Sequence, residues 1–155
     1  MTHYETNRDS YVLFELAGTT YALRGTEVLK LEMIEHITPV PNASPELEGV
    51  VFSQGDVIPA INLRTRFGFP KTEYDIRSRL LVVQAGDRKI GLTVDSAREF
   101  KTIPAELISA PPDSLAGTSG NYLIGIATID ERLILILDLE GLVNGPISTA
   151  IEKEI

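Results

Sequence analysis

The sequence predicts an all-β protein made of two five-stranded units packed together, with a few short helices. Three observations predict this class. Short runs of branched and aromatic residues are separated by turn residues, as in small barrels and sandwiches. Helical patterns are few and brief, and one hairpin pattern recurs along the chain. With 155 residues, the chain can form one domain, or two very small ones, with a sizeable core.

The first half of the chain contains five predicted strands. Its first hairpin turns at Gly18-Thr19, and its second turns over residues 53–56. Between them, Pro39 and Pro41 end a single strand, because proline lacks the N–H that a strand ladder needs. The five strands cover residues 11–17, 21–24, 34–40, 50–52 and 57–63.

The second half repeats this style. A third hairpin turns at residues 86–88, and a fourth turns at Asp130-Glu131. Pro111 and Pro112 indicate an exposed loop over residues 109–121. The five strands of this half cover residues 80–84, 89–94, 98–103, 122–129 and 132–138.

Helical signals are short. Thr26 is a predicted N-cap, Glu27 complements the helix dipole, and Val28, Leu31 and Glu32 follow at helical spacing. Residues 64–67 and 140–143 each predict about one turn. The segment from residue 144 onward is either a short helix or a frayed tail.

An internal repeat is the strongest organising feature. The pattern from Gly49 to Leu63 recurs without gaps from Gly125 to Leu139, an offset of 76 residues. Both copies have a leading glycine, the same turn length, an apolar second strand and a leucine opening a short helix. The repeat predicts two similar units, which solve together the edge and core problems that about 75 residues of β-structure face alone.

Composition excludes several functions. The net charge is −8, from 14 Lys and Arg against 22 Asp and Glu, and neither half of the chain is basic. A phosphate-tracking nucleic-acid surface is therefore not expected. The longest aliphatic run is five residues, far below the ~20 of a spanning helix, and the polar start has no signal-peptide pattern. We expect a cytoplasmic protein without direct membrane insertion.

Reactive groups are scarce. The chain has no Cys and two His, so it has no disulfide framework, thiolate metal site or cysteine nucleophile. His3 and His36 are expected to be solvent-exposed, with His36 on a strand edge, and Ser119 lacks the strand-to-helix context of a nucleophile elbow. We expect no catalytic residue, no metal site and no cofactor. The competing class is a small barrel that binds nucleic acid or peptides, and the 6% aromatic content and acidic balance disfavour nucleic acid.

Taken together, the motifs resemble those of the CheW-like domain family, coupling proteins of bacterial chemosensory arrays. The resemblance covers a single domain over about residues 11–143, with intertwined units of roughly 11–78 and 79–143 and tails at 1–10 and 144–155. The segments that carry it are Tyr21-Ala22-Leu23, Val28-Leu29-Lys30-Leu31, Ile37-Thr38-Pro39-Val40-Pro41, Glu48-Gly49-Val50-Val51, Gly55 to Arg64, Ile90 to Asp95, and Gly125-Ile126-Ala127 through Leu137-Asp138-Leu139.

The resemblance implies two SH3-like five-stranded β-barrels that share a hydrophobic interface. It also implies a non-catalytic adaptor that couples the cytoplasmic tip of a chemoreceptor to the regulatory domain of a chemotaxis histidine kinase. A divergent scaffold for another output, such as pilus-based motility, and a general SH3-like binding module stay open as alternatives.

The same resemblance indicates candidate partner residues. The groove that accepts the receptor tip would be formed by Val28, Leu31 and Glu32, although ordinary core packing is an equal alternative for Val28 or Leu31 alone. The interface candidates are Gln54, Gly55, Pro59 and Arg64.

Two departures from the family pattern stand out. Gln54 occupies a turn position where the family usually has Arg, and Asn62 stands where it most often has Asp. An amide supplies neither the charge nor the forked donor geometry of a guanidinium. The first departure therefore predicts altered partner contacts at this turn.

Overall fold

The computed structural model describes residues 10–112 and 122–144. Within these ranges, the side chains of residues 98 and 99 are not described. This part of the chain contains eleven strands, two one-turn α-helices and two 3₁₀ turns, Gly25–Glu27 and Ala105–Leu107. The helices are α1 (Leu63–Arg66) and α2 (Leu139–Val143). The strands are β1 (Ser10–Leu16), β2 (Thr19–Arg24), β3 (Val28–Met33), β4 (Leu47–Ser53), β5 (Asp56–Asn62), β6 (Arg79–Ala85), β7 (Arg88–Val94), β8 (Ser96–Thr102), β9 (Ile108–Ser109), β10 (Leu123–Ile129) and β11 (Arg132–Leu137).

The strands form two sheets, which confirms the all-β prediction. One sheet has the order β8-β1-β2-β11-β10-β9, and the other has the order β3-β6-β7-β5-β4. We call the first the split barrel, because its strands come from both ends of the described chain, and the second the central barrel. Each sheet takes strands from both halves of the sequence. Adjacent strands are antiparallel except β2–β11 and β5–β7, which are parallel.

The structure places the 76-residue repeat at equivalent positions in the two barrels. In the central barrel Leu47 pairs with Ile61, and in the split barrel Leu123 pairs with Leu137. A bulge follows each of these pairs, before Gly49 and Gly125 respectively. The repeat is therefore reproduced in strand register and in its irregularity, not merely in residue type.

The barrels close in equivalent ways but exchange one strand. Thr38 bridges to Val50 on the edge of the central barrel, and Ser109 pairs with Ile126 on the matching edge of the split barrel. However, β3 follows β2 in the chain and pairs with β6, whereas β8 follows β7 and pairs with β1. The connection after each early hairpin thus crosses to the other barrel.

Three clusters of buried residues match this architecture. The largest lies between the barrels and includes Phe14, Leu23, Leu81 and Leu139. A second cluster fills the split barrel around Leu13 and Ile136, and a smaller one fills the central barrel. The smallest cluster consists of Ile58, Ala60, Leu80 and Val82, with Ile34, Ile37 and Val51 packed against it. These clusters are the two SH3-like cores and the shared interface that the family resemblance implies.

Two local predictions were wrong. The spacing of Val28, Leu31 and Glu32 predicts a helix, but these residues lie on β3. A bulge between Val28 and Lys30 shifts the register of β3 against β6, so the burial pattern skips two residues and imitates a helical period.

The second error is the strand predicted over residues 34–40. This segment makes one isolated bridge, at Thr38, and His36 is exposed there without a strand. Ile34 and Ile37 are branched because they pack against the end of the central barrel, a role that needs no ladder. The predicted loop over residues 109–121 begins at Ser109 on β9, and its later part, like the tail from residue 145, lies outside the described residues.

Candidate partner-binding groove

An open groove of about 610 Å³ lies at the end of the central barrel. It runs between β3 with the segment that follows it and the edge strand β4. Its apolar lining comes from Leu31, Met33, Ile34, Ile37, Val50, Val51, Phe52 and Leu80. Its polar lining comes from Lys30, Glu32, Glu35, His36, Thr38, Ser53 and Gln54. We call this feature the barrel-end groove.

A hydrogen bond fixes the rim of the barrel-end groove. The Ser53 hydroxyl on β4 donates to Oε2 of Glu32 on β3 at 2.8 Å. The same carboxylate oxygen lies 3.3 Å from Nζ of Lys30. Glu32 is therefore held in place before any partner arrives, with its charge offset by a neighbouring ammonium.

Large apolar side chains are exposed at the groove. Phe52 is 75% exposed and Met33 is 55% exposed. Val57, opposite Phe52 in the β4–β5 register, is 67% exposed and extends this apolar surface along the hairpin. Clustered exposed apolar side chains with a polar rim are typical of protein-binding surfaces.

The structure brings three of the seven predicted partner residues together. Leu31, Glu32 and Gln54 all line the barrel-end groove. Val28 is 8% exposed and belongs to the core between the barrels. Met33 and Phe52 were missed, because a sequence pattern does not distinguish an apolar side chain facing solvent from one facing a core.

The other three candidates lie elsewhere on the central barrel. Gly55 follows Gln54 in the β4–β5 turn, where both residues have positive φ. Pro59 is half-buried on β5, opposite Val50. Arg64 is on α1, beyond the end of β5.

The guanidinium of Arg64 is occupied within the chain. Its Nε and Nη2 donate to the two carboxylate oxygens of Asp95, each at 2.8 Å, and Nη1 donates to the carbonyl of Pro70 at 3.0 Å. Burial alone would raise the pKa of Asp95, but hydrogen bonds from Arg64 and from the Ala17 backbone N–H hold that pKa below its usual value. Arg64 therefore stabilises the fold internally, because its guanidinium nitrogens bond to Asp95 and Pro70.

Asn62 organises a partly buried polar cluster beside Arg64. Its Oδ1 caps α1 by accepting from the backbone N–H of Thr65, while Nδ2 donates at 3.3 Å to both Oε1 of Glu48 and the hydroxyl of Tyr74. Burial, with Glu48 nearby, raises the pKa of Tyr74 to about 12, so the phenol stays protonated and donates to Thr93. An aspartate at position 62 would keep the cap and lose both donations.

Across residues 10–112 and 122–144, no group of three or more His, Cys, Asp or Glu side chains is placed to hold a metal ion. Among the helices in those same ranges, none is long and apolar enough to cross a membrane. Among the surface features described, the barrel-end groove, with its exposed apolar side chains, is best suited to binding another protein.

Comparison with known proteins identifies the family to which this architecture belongs. The CheW-like domain model matches residues 10–146. The chain is 26% identical over 140 residues to the chemotaxis protein CheW of Klebsiella aerogenes, covering 90% of this chain and 84% of that protein. It is also 26% identical over 136 residues to the CheW protein of Bacillus subtilis, covering 88% and 87% of the two chains.

A solved structure agrees with the sequence comparisons. The crystal structure of the scaffolding protein TtCheW from Thermoanaerobacter tengcongensis superimposes with a TM-score of 0.80 and 31% identity. The match covers 87% of this chain and 92% of that one. From the family match over nearly its whole length, together with the paired barrels, the chain belongs to the CheW-like domain family.

Proposed function

We propose that this chain is a non-catalytic scaffold of bacterial chemosensory signalling. The observation that carries the proposal is the end-to-end match to a scaffolding protein of the CheW family, both barrels included. The surface supports the same role, because its main feature is an apolar groove suited to another protein.

The partners proposed are a chemoreceptor hairpin tip and the regulatory domain of a chemotaxis histidine kinase. An amphipathic helix can lay its apolar face into a groove such as the one floored by Leu31, Met33 and Phe52. We assign the receptor tip to the side lined by Leu31 and Glu32, and the kinase to the adjacent turn at Gln54 and Gly55. Such partners would place the chain in the cytoplasm.

Pro59 and Arg64 take different parts in this proposal. Pro59 is half-buried in the middle of β5, opposite the groove residue Val50, and we propose that it supports the interface from that strand. Arg64 contributes by holding α1 through Asp95, since its donors are already used inside the chain. The cellular output is determined by which receptor and which kinase bind to this scaffold.

The test is direct binding to a receptor cytoplasmic hairpin fragment and to a kinase regulatory domain, each measured by calorimetry. Met33→Glu places an unpaired charge on an exposed side chain of the groove and should weaken receptor binding about tenfold or more. Ile76→Glu is the matched control, because Ile76 is 79% exposed and lies outside the groove lining. Val28→Glu and Leu31→Glu are unsuitable, since Val28 belongs to the core between the barrels and Leu31 packs against it.

Two outcomes would contradict the proposal. One is unchanged receptor and kinase binding by a folded Met33→Glu variant. The other is tight, salt-sensitive binding to a polynucleotide at low ionic strength, which would favour the nucleic-acid class instead.

A further inference from the structure

Arg66 is a buried arginine that the proposed groove does not use. It is 8% exposed, at the end of α1 in the central barrel. Within the described ranges it forms no ion pair. Its Nε and Nη2 both donate to the backbone carbonyl of Leu142, at 3.2 and 3.1 Å.

The contact crosses from one barrel to the other at equivalent places. Arg66 is on α1, which follows β5, and Leu142 is on α2, which follows β11. The two residues are 76 positions apart, which is the offset of the repeat. The bond therefore joins the two elements that continue directly from the equivalent hairpins, β4–β5 and β10–β11.

Aromatic packing orients the guanidinium. Its Cζ lies 4.9 Å from the ring centroid of Tyr122, which immediately precedes β10. Phe67, the neighbour of Arg66, stacks on the same Tyr122 ring at 5.7 Å. Arg66 is thus held against the split barrel by a carbonyl on one element and a ring on another, and a rigid fork suits that geometry better than an ammonium.

We infer that Arg66 is a positioning residue that helps to fix the angle between the two barrels, in addition to the bonds that Asp95 makes with Arg64 and Ala17. Apolar contacts in the shared core are non-directional and tolerate small sliding, whereas two hydrogen bonds to one carbonyl define a direction. Burying a guanidinium without a counter-charge costs free energy, so Arg66 is better explained by the arrangement that its hydrogen bonds specify. The functional consequence rests on the proposed function, because a scaffold must present two partners at a constant angle.

The first test needs no partner. The chain has no cysteine, so Val57→Cys and Leu133→Cys introduce spin labels at equivalent exposed positions, one on each hairpin. Pulsed electron–electron double resonance then measures the distance distribution between the two spin labels. Arg66→Met, which removes the directional bonds, should broaden this distribution about twofold while secondary structure is kept.

Two further variants make the test decisive. Arg79→Met is the matched control, because Arg79 donates locally to the carbonyls of Ile76 and Ser78, and its distribution should match the parent. Arg66→Lys keeps the charge with a less directional donor and should broaden the distribution to a lesser degree, and it replaces Arg66→Met if that variant fails to fold. An unchanged width in the folded Arg66 variant would overturn the inference.

A second measurement addresses the scaffold role. Arg66→Met should bind the kinase regulatory domain and the receptor fragment singly within about twofold of the parent, yet lose about tenfold in assembling the ternary complex. Parent-like ternary assembly beside a broadened distribution would refute the functional consequence and leave the positioning role standing. Failure of the parent itself to bind either partner would refute the proposed function and leave the distance measurement valid.

Discussion

Arg64 and Asp95 are paired at the point where the chain leaves one barrel for the other. Asp95 is the single residue between β7 of the central barrel and β8 of the split barrel. Its carboxylate receives the guanidinium of Arg64 from α1 and also the backbone N–H of Ala17, in the turn of the first hairpin. One carboxylate therefore connects a helix, a crossover and a hairpin.

The Arg64–Asp95 pair makes the unfolding free energy of the protein depend on pH. Because the pKa of Asp95 is lowered in the folded state, its contribution is fully present above the unfolded value of about 3.9 and is lost as pH falls through the folded value. We expect Asp95→Asn to lose about 2 kcal/mol of unfolding free energy at pH 7. Urea denaturation from pH 7 to pH 2 should show that difference closing below about pH 4, and a constant difference would contradict the assignment.

Asn62→Asp, which restores the residue most often found in the family, should destabilise this chain. The carboxylate keeps the cap on Thr65 but faces Glu48, to which the present amide donates. We expect a loss of about 1–2 kcal/mol at pH 7. The loss should shrink as pH falls, because protonation of either carboxyl removes the repulsion. Asn62→Ser, which retains a capping oxygen without charge, is the control, and equal losses at pH 7 and pH 4 would argue against charge repulsion.

Equivalent glycines of the repeat should differ in their tolerance of a methyl group. At Gly49, φ is +151° and an added Cβ would collide with the backbone carbonyl of Thr38. At Gly125, the closest obstacle is Cγ2 of Ile108 at 2.6 Å, which a side chain can relieve by moving. Gly49→Ala should therefore cost about 3 kcal/mol or more, and Gly125→Ala clearly less, by thermal unfolding. Equal costs would count against the described register.

The turn at Asp130-Glu131 offers a stabilising change. Both residues have positive φ, +51° and +65°, as do Gln54 and Gly55 in the equivalent turn. Glycine at the second position of such a two-residue turn avoids the left-handed strain of a side chain. Glu131→Gly should add about 1 kcal/mol, measured by chemical denaturation, and Gly55→Ala should remove a similar amount. No gain in Glu131→Gly would mean that the exposed turn relaxes in solution.

Gln54→Arg probes the family departure at the groove. Gln54 is exposed and lines the barrel-end groove beside Ser53. A restored guanidinium should strengthen binding of the kinase regulatory domain by about fivefold, the equivalent of one exposed ion pair of about 1 kcal/mol. The gain should diminish at high salt, with Gln54→Met as the uncharged control. Equal affinities for all three chains would remove this turn from the interface.

The sequence predicted the fold where local signals agree with the final structure. The hairpins were predicted because turn residues and branched runs coincide, and the repeat indicated two equivalent barrels. The prediction failed at β3, where the bulge after Val28 changes the period of burial. It failed also at residues 34–40, where branched side chains serve the end of a barrel and not a ladder.

The candidate site was less predictable than the fold. Leu31, Glu32 and Gln54 were found through family resemblance, which preserves position. Phe52 and Met33 gave no signal, because exposure is decided by how distant strands curve together. The hydrogen bonds of Arg64 and Arg66 are made to residues 31 and 76 positions away in the chain. Spacing along one element does not reveal such pairings.

The interrupted course of the split barrel bears on how the molecule folds. Residues 28–94 supply every strand of the central barrel, whereas the split barrel must join residues 10–24 to residues 96–137. Pairing Ser10 with Thr102 before the intervening chain is ordered requires closure of a long loop, which is slow. We therefore expect the central barrel to form first and to bring the two separated parts of the other barrel together.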